Sequence, residues 1–283
     1  MPIVDVNGAR VAYAEAGSGE TVLLLHSSAS SSVQWRSLTE LLRVRWRVLA
    51  PDLHDYGQTG PWPGPASPEL GDEAALVDAV VAQSAERIHL VGHSYGGVAA
   101  LRYAADRPKR LLSLTLIEPA AFHLLRRAPE GTREHDLFRE VAEVAADVAH
   151  AAAEGDDHRG MGRFIDYWNG EGAWIRTRPE VQLALARQAA KVACEFRAAM
   201  TDPTRFGLLR RIEAPALVLR GTASPRPTRR IAELVAQILP NARLDTIEGA
   251  GHMLPLTHHE AVNAVIAEHL ARCMPAGRRP AAA

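Results

Sequence analysis

Short apolar runs alternate with segments of helical periodicity along much of this chain, and that alternation restricts the possible folds more than any other feature. Strand-like runs lie at residues 21–26 (TVLLLH), 47–50, 88–91 and 112–117, and helical patterns lie at residues 33–44, 70–82 and 98–105. Strands that alternate with helices predict an α/β fold with a mostly parallel sheet flanked by helices. The first segment, residues 4–14, instead surrounds an Asn-Gly pair, which predicts a hairpin.

The alternation stops between residues 122 and 204, where helical patterns and charged loops follow one another. Helices are predicted there at residues 136–153 and 180–200, and the strand–helix order returns with strands at 216–219 and 243–247 and helices at 228–238 and 260–273. We therefore expect a core in two parts, residues 1–121 and 205–274, with an inserted helical cap at residues 122–204. Residues 275–283 are expected to form a disordered tail.

Composition excludes some classes of protein. The apolar fraction is 47% and the formal net charge is −1, so a large core can form and nucleic acid is not expected as a partner. Cys194 and Cys273 fit neither a disulfide framework nor a metal site. The sequence contains no apolar signal core and no membrane span, so we expect a soluble, cytoplasmic protein without a membrane partner. A monomer or homodimer that needs no metal or other cofactor is expected.

The motif GHSYG at residues 92–96 fits G-x-S-x-G and stands between a predicted strand and a predicted helix. In that context a sharp turn lifts the Ser94 hydroxyl out of the sheet, and the flanking glycines let the backbones pass closely. The turn also places the serine at a helix N-terminus, where negative charge is favoured. We interpret Ser94 as a nucleophile; the alternative is a Gly-rich loop that happens to contain a serine.

A serine hydroxyl needs a base to take its proton, and histidine suits that role because its pKa lies near neutrality. The chain has 12 histidines. His252 lies in the loop between the last predicted strand and helix, at the same sheet edge as Ser94. His258 and His259 begin the last helix and are interpreted as solvated, and His93 belongs to the turn and should point away. The sequence therefore predicts His252 as the base.

Together these motifs make the chain resemble the α/β-hydrolase superfamily over nearly its whole length. The resemblance rests on His26-Ser27-Ser28 after a strand, on DLHDYGQTG at residues 52–60, on the elbow GHSYGG, and on GAGH, which ends in His252. It implies the α/β-hydrolase fold with an inserted cap. The motifs are specific for the superfamily but not for a substrate.

The resemblance also implies a carboxylate that orients the base. Relatives usually carry it in a G-x-x-D pattern after the strand at residues 216–219, where this chain has Ser224. Some members place the acid one strand earlier, at the position of Glu118, which ends an apolar run and would be costly to bury without a partner. We therefore predict the order Ser94, Glu118, His252; the alternative is that Glu118 caps or salt-bridges the hinge of the cap. Asp245 and Glu248 are less well placed.

By the same resemblance, an oxyanion hole should form from two backbone N–H groups. One belongs to Tyr95, which follows the nucleophile, and the other to Ser28 in the loop after TVLLLH. Ser27 stands where many relatives have glycine.

A serine nucleophile disfavours dehalogenase and epoxide hydrolase chemistry, for which related enzymes use aspartate, and favours attack on an ester, thioester, lactone or activated amide. Aromatic and neighbouring residues of the cap are candidates for substrate binding, with packing of the cap as the alternative. These candidates are Phe122, His123, Phe164, Tyr167 and Trp168.

The predicted function is hydrolysis of a small, apolar carboxylic ester, thioester or lactone through an acyl-enzyme on Ser94. The alternatives are an acyltransferase or cofactor-free perhydrolase with the same triad, and a ligand-binding protein with little turnover on the same scaffold. A metal site at Asp156, Asp157 and His158 is a weaker alternative, because these residues read as a turn of the cap.

Overall fold

A single sheet of eight strands forms the centre of the part of the chain that the computed structural model describes, residues 1–64, 66–82 and 87–274. The expected tail at residues 275–283 lies outside the described residues. In chain order the strands are β1 Ile3–Val6, β2 Ala9–Ala16, β3 Glu20–Leu25, β4 Trp46–Pro51, β5 Ile88–His93, β6 Leu111–Ile117, β7 Ala216–Gly221 and β8 Ala242–Ile247.

The strand order across the sheet is β1-β2-β4-β3-β5-β6-β7-β8. Strands β3 to β8 are all parallel, whereas β2 runs antiparallel to both β1 and β4. The predicted hairpin and the predicted mostly parallel sheet are therefore confirmed. Because parallel strands share one carboxyl edge, the loops after β3, β5, β6 and β8 meet on the same side of the sheet.

Thirteen α-helices occur among the described residues. They are α1 Arg36–Leu42, α2 Leu70–Val80, α3 Tyr95–Asp106, α4 Phe122–Arg126, α5 Arg133–Ala153, α6 Asp157–Asn169, α7 Ala173–Arg176, α8 Pro179–Ala186, α9 Ala189–Thr201, α10 Phe206–Leu209, α11 Arg226–Ile238, α12 Leu254–Thr257 and α13 His259–Arg272. Two short 3-10 helices, Ser32–Trp35 and Pro108–Arg110, complete the set. None of these helices is both long enough and apolar enough to cross a membrane.

The sheet is covered on both faces, and the continuous apolar runs of its strands explain this. All six residues of β3 are buried. Leu23 and Leu25 join a cluster with α2, α3 and α11, whereas Val22 and Leu24 join a second cluster with α1 and α13. Successive side chains of a strand point to opposite faces, so a run that is apolar at every position needs helices on both sides.

Helices α4 to α10 lie between β6 and β7, over the region predicted to form the cap. Their apolar side chains join the same cluster as α2 and α3. The helix predicted at residues 180–200 is in fact two helices that break at Arg187-Gln188. The break lets α9 pack against α5 while α8 packs against α6. The division of the chain at residues 121 and 204 stays a prediction.

Candidate active site

The turn from β5 to α3 holds Ser94 in a strained backbone conformation. Ser94 has φ 53° and ψ −114°, outside the regions that non-glycine residues usually adopt. A Cβ on Gly92 would lie 2.3 Å from the Gly96 carbonyl oxygen, and one on Gly96 would lie 2.3 Å from the carbonyl oxygen of His26. The turn can therefore pass this closely over β3 only with glycine at both positions.

Backbone hydrogen bonds to the neighbouring strand hold this conformation in place. The N–H of Ser94 donates to the Ile117 carbonyl at 3.0 Å, and the N–H of Ala120 donates back to the Ser94 carbonyl at 2.9 Å. The nucleophile candidate is thus fixed to the end of β6. Its side chain opens onto cavities at the carboxyl edge of the sheet.

Glu118 is the first residue after β6 and is fully buried. Its φ is +41°, so Glu118 has a strained backbone conformation, as Ser94 does. One carboxylate oxygen, Oε1, accepts the N–H of Gly221 at 2.7 Å, and the other, Oε2, lies 2.7 Å from Nδ1 of His252. Both oxygens have partners, so the cost of burying this carboxylate is offset.

His252 lies in the loop between β8 and α12 and joins the two other residues. Its Nε2 lies 2.9 Å from Oγ of Ser94, and its Nδ1 faces Glu118. The carboxylate requires the proton on Nδ1, which leaves Nε2 free to accept the serine proton. The ring of Trp168 covers the imidazole at a centroid distance of 4.4 Å. The structure therefore brings together three residues that are far apart in the sequence.

The other acid candidates do not contact His252. The side chain of Asp245 pairs with Arg243 at 2.8 Å, and Glu248 accepts the hydroxyl of Thr222 at 3.2 Å. Ser224, at the usual acid position, is buried, and its Oγ has no hydrogen-bond partner among the residues that the structure describes.

His93 and Gln34 form a support that sequence reasoning missed. His93 is fully buried, and burial lowers its pKa well below the ordinary value, so its ring is neutral. Its Nε2 donates to the His252 carbonyl at 2.9 Å, and its Nδ1 accepts the side-chain amide of Gln34 at 3.2 Å. The amide oxygen of Gln34 in turn accepts both the N–H and the hydroxyl of Ser27, at 3.1 Å and 2.9 Å. The loop that carries His252 is thereby linked to the loop after β3.

The loop after β3 is further fixed by His26. Its Nδ1 donates to the Ser27 carbonyl at 2.7 Å, and its Nε2 accepts the N–H of Leu53 at 2.9 Å. Burial lowers the pKa of His26 to about 4, which keeps the ring neutral and suited to both bonds. Ser28 and Tyr95, the two residues predicted to supply the oxyanion hole, both line a small cavity beside Ser94.

Two cavities meet at Ser94. The smaller one has a volume of about 20 Å³ and is lined by Ser28, Ser94, Tyr95, Ala120, Phe122, Phe164, Trp168, Val192, Glu195, Phe196 and Ala199. The larger one has a volume of about 440 Å³ and is bordered by Ser94, His252, Trp168 and apolar side chains of α6, α8 and α12. His252 borders the larger cavity but not the smaller one.

Three of the five predicted substrate-binding residues, Phe122, Phe164 and Trp168, line the smaller cavity. The other two do not. Tyr167 turns towards α5, where its hydroxyl donates to Glu140 at 2.9 Å. His123 follows Phe122 by one helical position, so it faces another direction, and its Nε2 lies 3.8 Å from the carboxylate of Asp202.

Comparison with known proteins identifies the family to which the chain is similar. Residues 22–265 match the family described as the alpha/beta hydrolase family. The dihydrolipoyllysine-residue acetyltransferase component of the acetoin cleaving system of Cupriavidus necator is 38% identical over 120 residues, which cover 42% of this chain and 32% of that protein. Epoxide hydrolase 3 of Siraitia grosvenorii is 36% identical over 119 residues, which cover 39% of this chain and 36% of that protein. The chain thus spans about a third of the length of these curated relatives.

Solved structures match over a longer stretch. A thermophilic esterase from Thermogutta terrifontis superposes with a TM-score of 0.72 at 24% identity, covering 94% of this chain and 95% of that one. The enol-lactonase from Burkholderia xenovorans superposes with a TM-score of 0.70 at 20% identity, covering 95% and 99%. At this level of identity the likeness shows a shared fold. With a family match over most of its length, the chain belongs to the alpha/beta hydrolase family, as its motifs predicted.

Proposed function

We propose that the protein is a serine hydrolase that cleaves a small carboxylic ester, thioester or lactone through an acyl-enzyme on Ser94. The observation that carries this proposal is the unbroken series of short contacts from Glu118 through His252 to Ser94, at 2.7 Å and 2.9 Å. A serine that faces a histidine, which in turn faces a buried carboxylate, is the arrangement that activates a hydroxyl nucleophile.

In the first half of the reaction, Nε2 of His252 takes the proton of Ser94 as Oγ attacks the substrate carbonyl. The imidazolium that forms is stabilised by Glu118, which stays ionised. The negative charge on the carbonyl oxygen is received by the N–H groups of Ser28 and Tyr95. His252 then passes its proton to the leaving alcohol or thiol, and the acyl group remains on Ser94.

In the second half, a water molecule takes the place of the leaving group. His252 removes a proton from that water, which attacks the acyl carbonyl, and the proton is returned to Oγ of Ser94 as the acid departs. Trp168 lies over the imidazole and shields this side of the site. Because Glu118 and His252 are both buried, the charge–charge interaction between the carboxylate and the imidazolium is stronger than it would be in water.

The position of His252 supports a proposal for which cavity binds which half of the substrate. A general acid must reach the leaving-group oxygen, so the leaving group belongs in the larger cavity, which His252 borders. The acyl group then belongs in the smaller cavity, which has a volume of only about 20 Å³. We therefore propose a short acyl group and a larger, mainly apolar leaving group.

A serine-directed fluorophosphonate tests the proposal directly. Intact-mass analysis should find one adduct on the wild-type protein and none on Ser94→Ala. An ester series with acyl chains from acetyl to octanoyl should then show the highest kcat/KM at the short end. Folded wild-type protein that forms no adduct would contradict the assignment of an activated serine, and a preference for octanoyl esters would contradict the assignment of the cavities.

A further inference from the structure

A buried group of charged and hydroxylated side chains lies behind the smaller cavity. Lys191 and Glu195 on α9 meet Glu73 on α2 and Tyr56 from the loop after β4. The ammonium Nζ of Lys191 lies 3.5 Å from Oε1 of Glu195 and 3.7 Å from Oε1 of Glu73. The Tyr56 hydroxyl donates to Oε2 of Glu195 at 2.9 Å.

Glu195 is the acidic member of this group that borders the smaller cavity. Its side chain is only 3% exposed, and it is one of the wall residues beside Ser94. Most other walls of the cavity are apolar, among them Phe122, Phe164 and Trp168. The cavity therefore has apolar sides and one polar end.

One oxygen of that carboxyl is incompletely satisfied. Oε2 accepts the tyrosine hydroxyl, but Oε1 has no hydrogen bond of good geometry among the described residues. Lys191 pairs with Oε1 at 3.5 Å and the Ser28 side chain also interacts with this carboxyl group, but neither gives Oε1 a hydrogen bond of good geometry. Buried polar atoms in native proteins usually have such a bond, so this oxygen keeps acceptor capacity that a ligand in the cavity can use. Burial also raises the pKa of Glu195 to about 7, and burial raises the pKa of Glu73 to about 7.

We propose that Glu195 accepts a hydrogen bond from a hydroxyl group on the acyl chain, so that the preferred substrates are esters of small hydroxy acids. This inference rests on the proposed function and refines its substrate class. A water molecule needs about 10–15 Å³ of cavity volume measured in this way, and the smaller cavity offers about 20 Å³. Beyond a carbonyl group held at Ser94, it therefore has room for about one or two groups of that size, such as the methylene and hydroxyl of a glycolyl chain, and little more.

The donor is a hydroxyl rather than an ammonium group because a cation already occupies this end of the pocket. Lys191 lies 3.5 Å from the same oxygen, Oε1, and would repel a second positive charge. A neutral hydroxyl adds a donor without adding charge. Its oxygen keeps acceptor capacity of its own, which a neighbouring donor of the pocket can use.

Two pairs of phenyl esters test the inference, since each pair differs by a hydroxyl in place of a methyl group. Glycolate is compared with propionate, and 3-hydroxypropionate with butyrate, by following phenol release. The quantity of interest is the ratio of kcat/KM within a pair, compared between variants so that intrinsic ester reactivity cancels. We expect Glu195→Met to lower the ratio about 10- to 100-fold for at least one pair, and Glu195→Gln, which keeps an acceptor oxygen, to lower it much less.

Glu73→Gln is the matched control. Glu73 belongs to the same buried group and contacts the same lysine, but it does not line the cavity. It should leave the ratio within about twofold of the wild-type value. An unchanged ratio in Glu195→Met, or an equal fall in both variants, would overturn the inference.

Inhibition of the wild-type enzyme supplies a test that needs no variant to fold. Glycolamide should inhibit at least about tenfold more strongly than propionamide if the hydroxyl is recognised; equal inhibition would overturn the inference. Failure of the proposed function has a different signature. In that case the wild-type protein would cleave none of the four esters and Ser94 would not react with the fluorophosphonate. Failure of this inference alone would leave both ester cleavage and the labelling of Ser94 intact.

Discussion

Replacement of Glu118 by glutamine should abolish the base function of His252 while leaving the fold in place. Oε1 of Glu118 accepts the N–H of Gly221, a backbone donor that cannot change its role. A glutamine must therefore present its oxygen to Gly221 and its NH₂ group to Nδ1 of His252. That NH₂ donates, so Nδ1 must accept, and the imidazole proton moves to Nε2.

The wrong tautomer then faces the nucleophile. Nε2 lies 2.9 Å from Oγ of Ser94 and would carry a proton in place of a lone pair, so it could not receive the serine proton. The reverse orientation of the amide would set two donors face to face in a fully buried site, at a cost of about 1–3 kcal/mol. In other enzymes the loss of the correct tautomer lowers kcat by about 10⁴-fold, or ~5 kcal/mol of transition-state stabilisation. We expect a fall of about 10³- to 10⁴-fold here.

The assay is hydrolysis of a short-chain phenyl ester at neutral pH, with circular dichroism and thermal unfolding to establish that the variant folds. ¹⁵N chemical shifts of the imidazole provide a second readout, because they distinguish a proton on Nδ1 from one on Nε2. Glu118→Asp serves as the comparison, since it keeps the charge and shortens the reach. A folded Glu118→Gln variant with near-normal kcat, or one that loses activity while the imidazole proton stays on Nδ1, would refute the reasoning.

Three further perturbations have defined outcomes. Ser224→Ala should retain kcat within about threefold, because its hydroxyl makes no hydrogen bond to any residue that the structure describes; a collapse of activity in the folded variant would reassign the acid position. Gly96→Ala should destabilise the fold by at least ~3 kcal/mol in denaturant unfolding, since its Cβ would lie 2.3 Å from the His26 carbonyl oxygen. Stability should also fall as the pH drops from about 6.5 to 4, where unfolded histidines bind protons that the native state excludes. Burial lowers the pKa to about 4 at His26, His54, His89, His123 and His269. Each of these five histidines lowers the free energy of unfolding over that interval, and they outnumber the two carboxyls with raised pKa, Glu73 and Glu195, whose effect has the opposite sign. An equal free energy of unfolding at pH 7 and at pH 5, measured by chemical denaturation, would contradict this prediction.

The local parts of the site could be predicted because each depends on a short stretch of sequence. The elbow needs small residues at fixed offsets from Ser94, and the strand–helix rhythm places His252 at the same edge of the sheet. Glu118 was recognisable because an acid directly after an apolar strand is costly unless it has a partner. The structure supplies that partner at 2.7 Å.

The tertiary contacts could not be predicted in the same way. Gln34 and His93 are 59 positions apart, and no pattern in the sequence around either residue predicts the hydrogen bond between them. Glu195 lies in a helical pattern with charged neighbours, which is typical of a solvated face, yet the packing of α9 turns it towards the cavity. Tyr167 and Trp168 are adjacent in sequence, and only the position of α5 decides that the first binds Glu140 while the second covers His252.

The placement of the acid after β6 also bears on how this scaffold can change. The proposed nucleophile, Ser94, and the proposed acid, Glu118, follow adjacent strands, and the backbone N–H of Ser94 donates to the Ile117 carbonyl at the end of the strand before Glu118. The connection from β7 to α11 contributes only the Gly221 N–H to the triad, and the rest of that short loop carries no part of it. Residues 222–225 therefore carry no side chain of the proposed triad, but the N–H of Ala223 donates to the Ala250 carbonyl at 2.9 Å, in the loop that holds His252. Inserted or grafted segments could reshape the rim of the site here, in natural divergence or by design, provided that they keep this hydrogen bond and with it the position of His252.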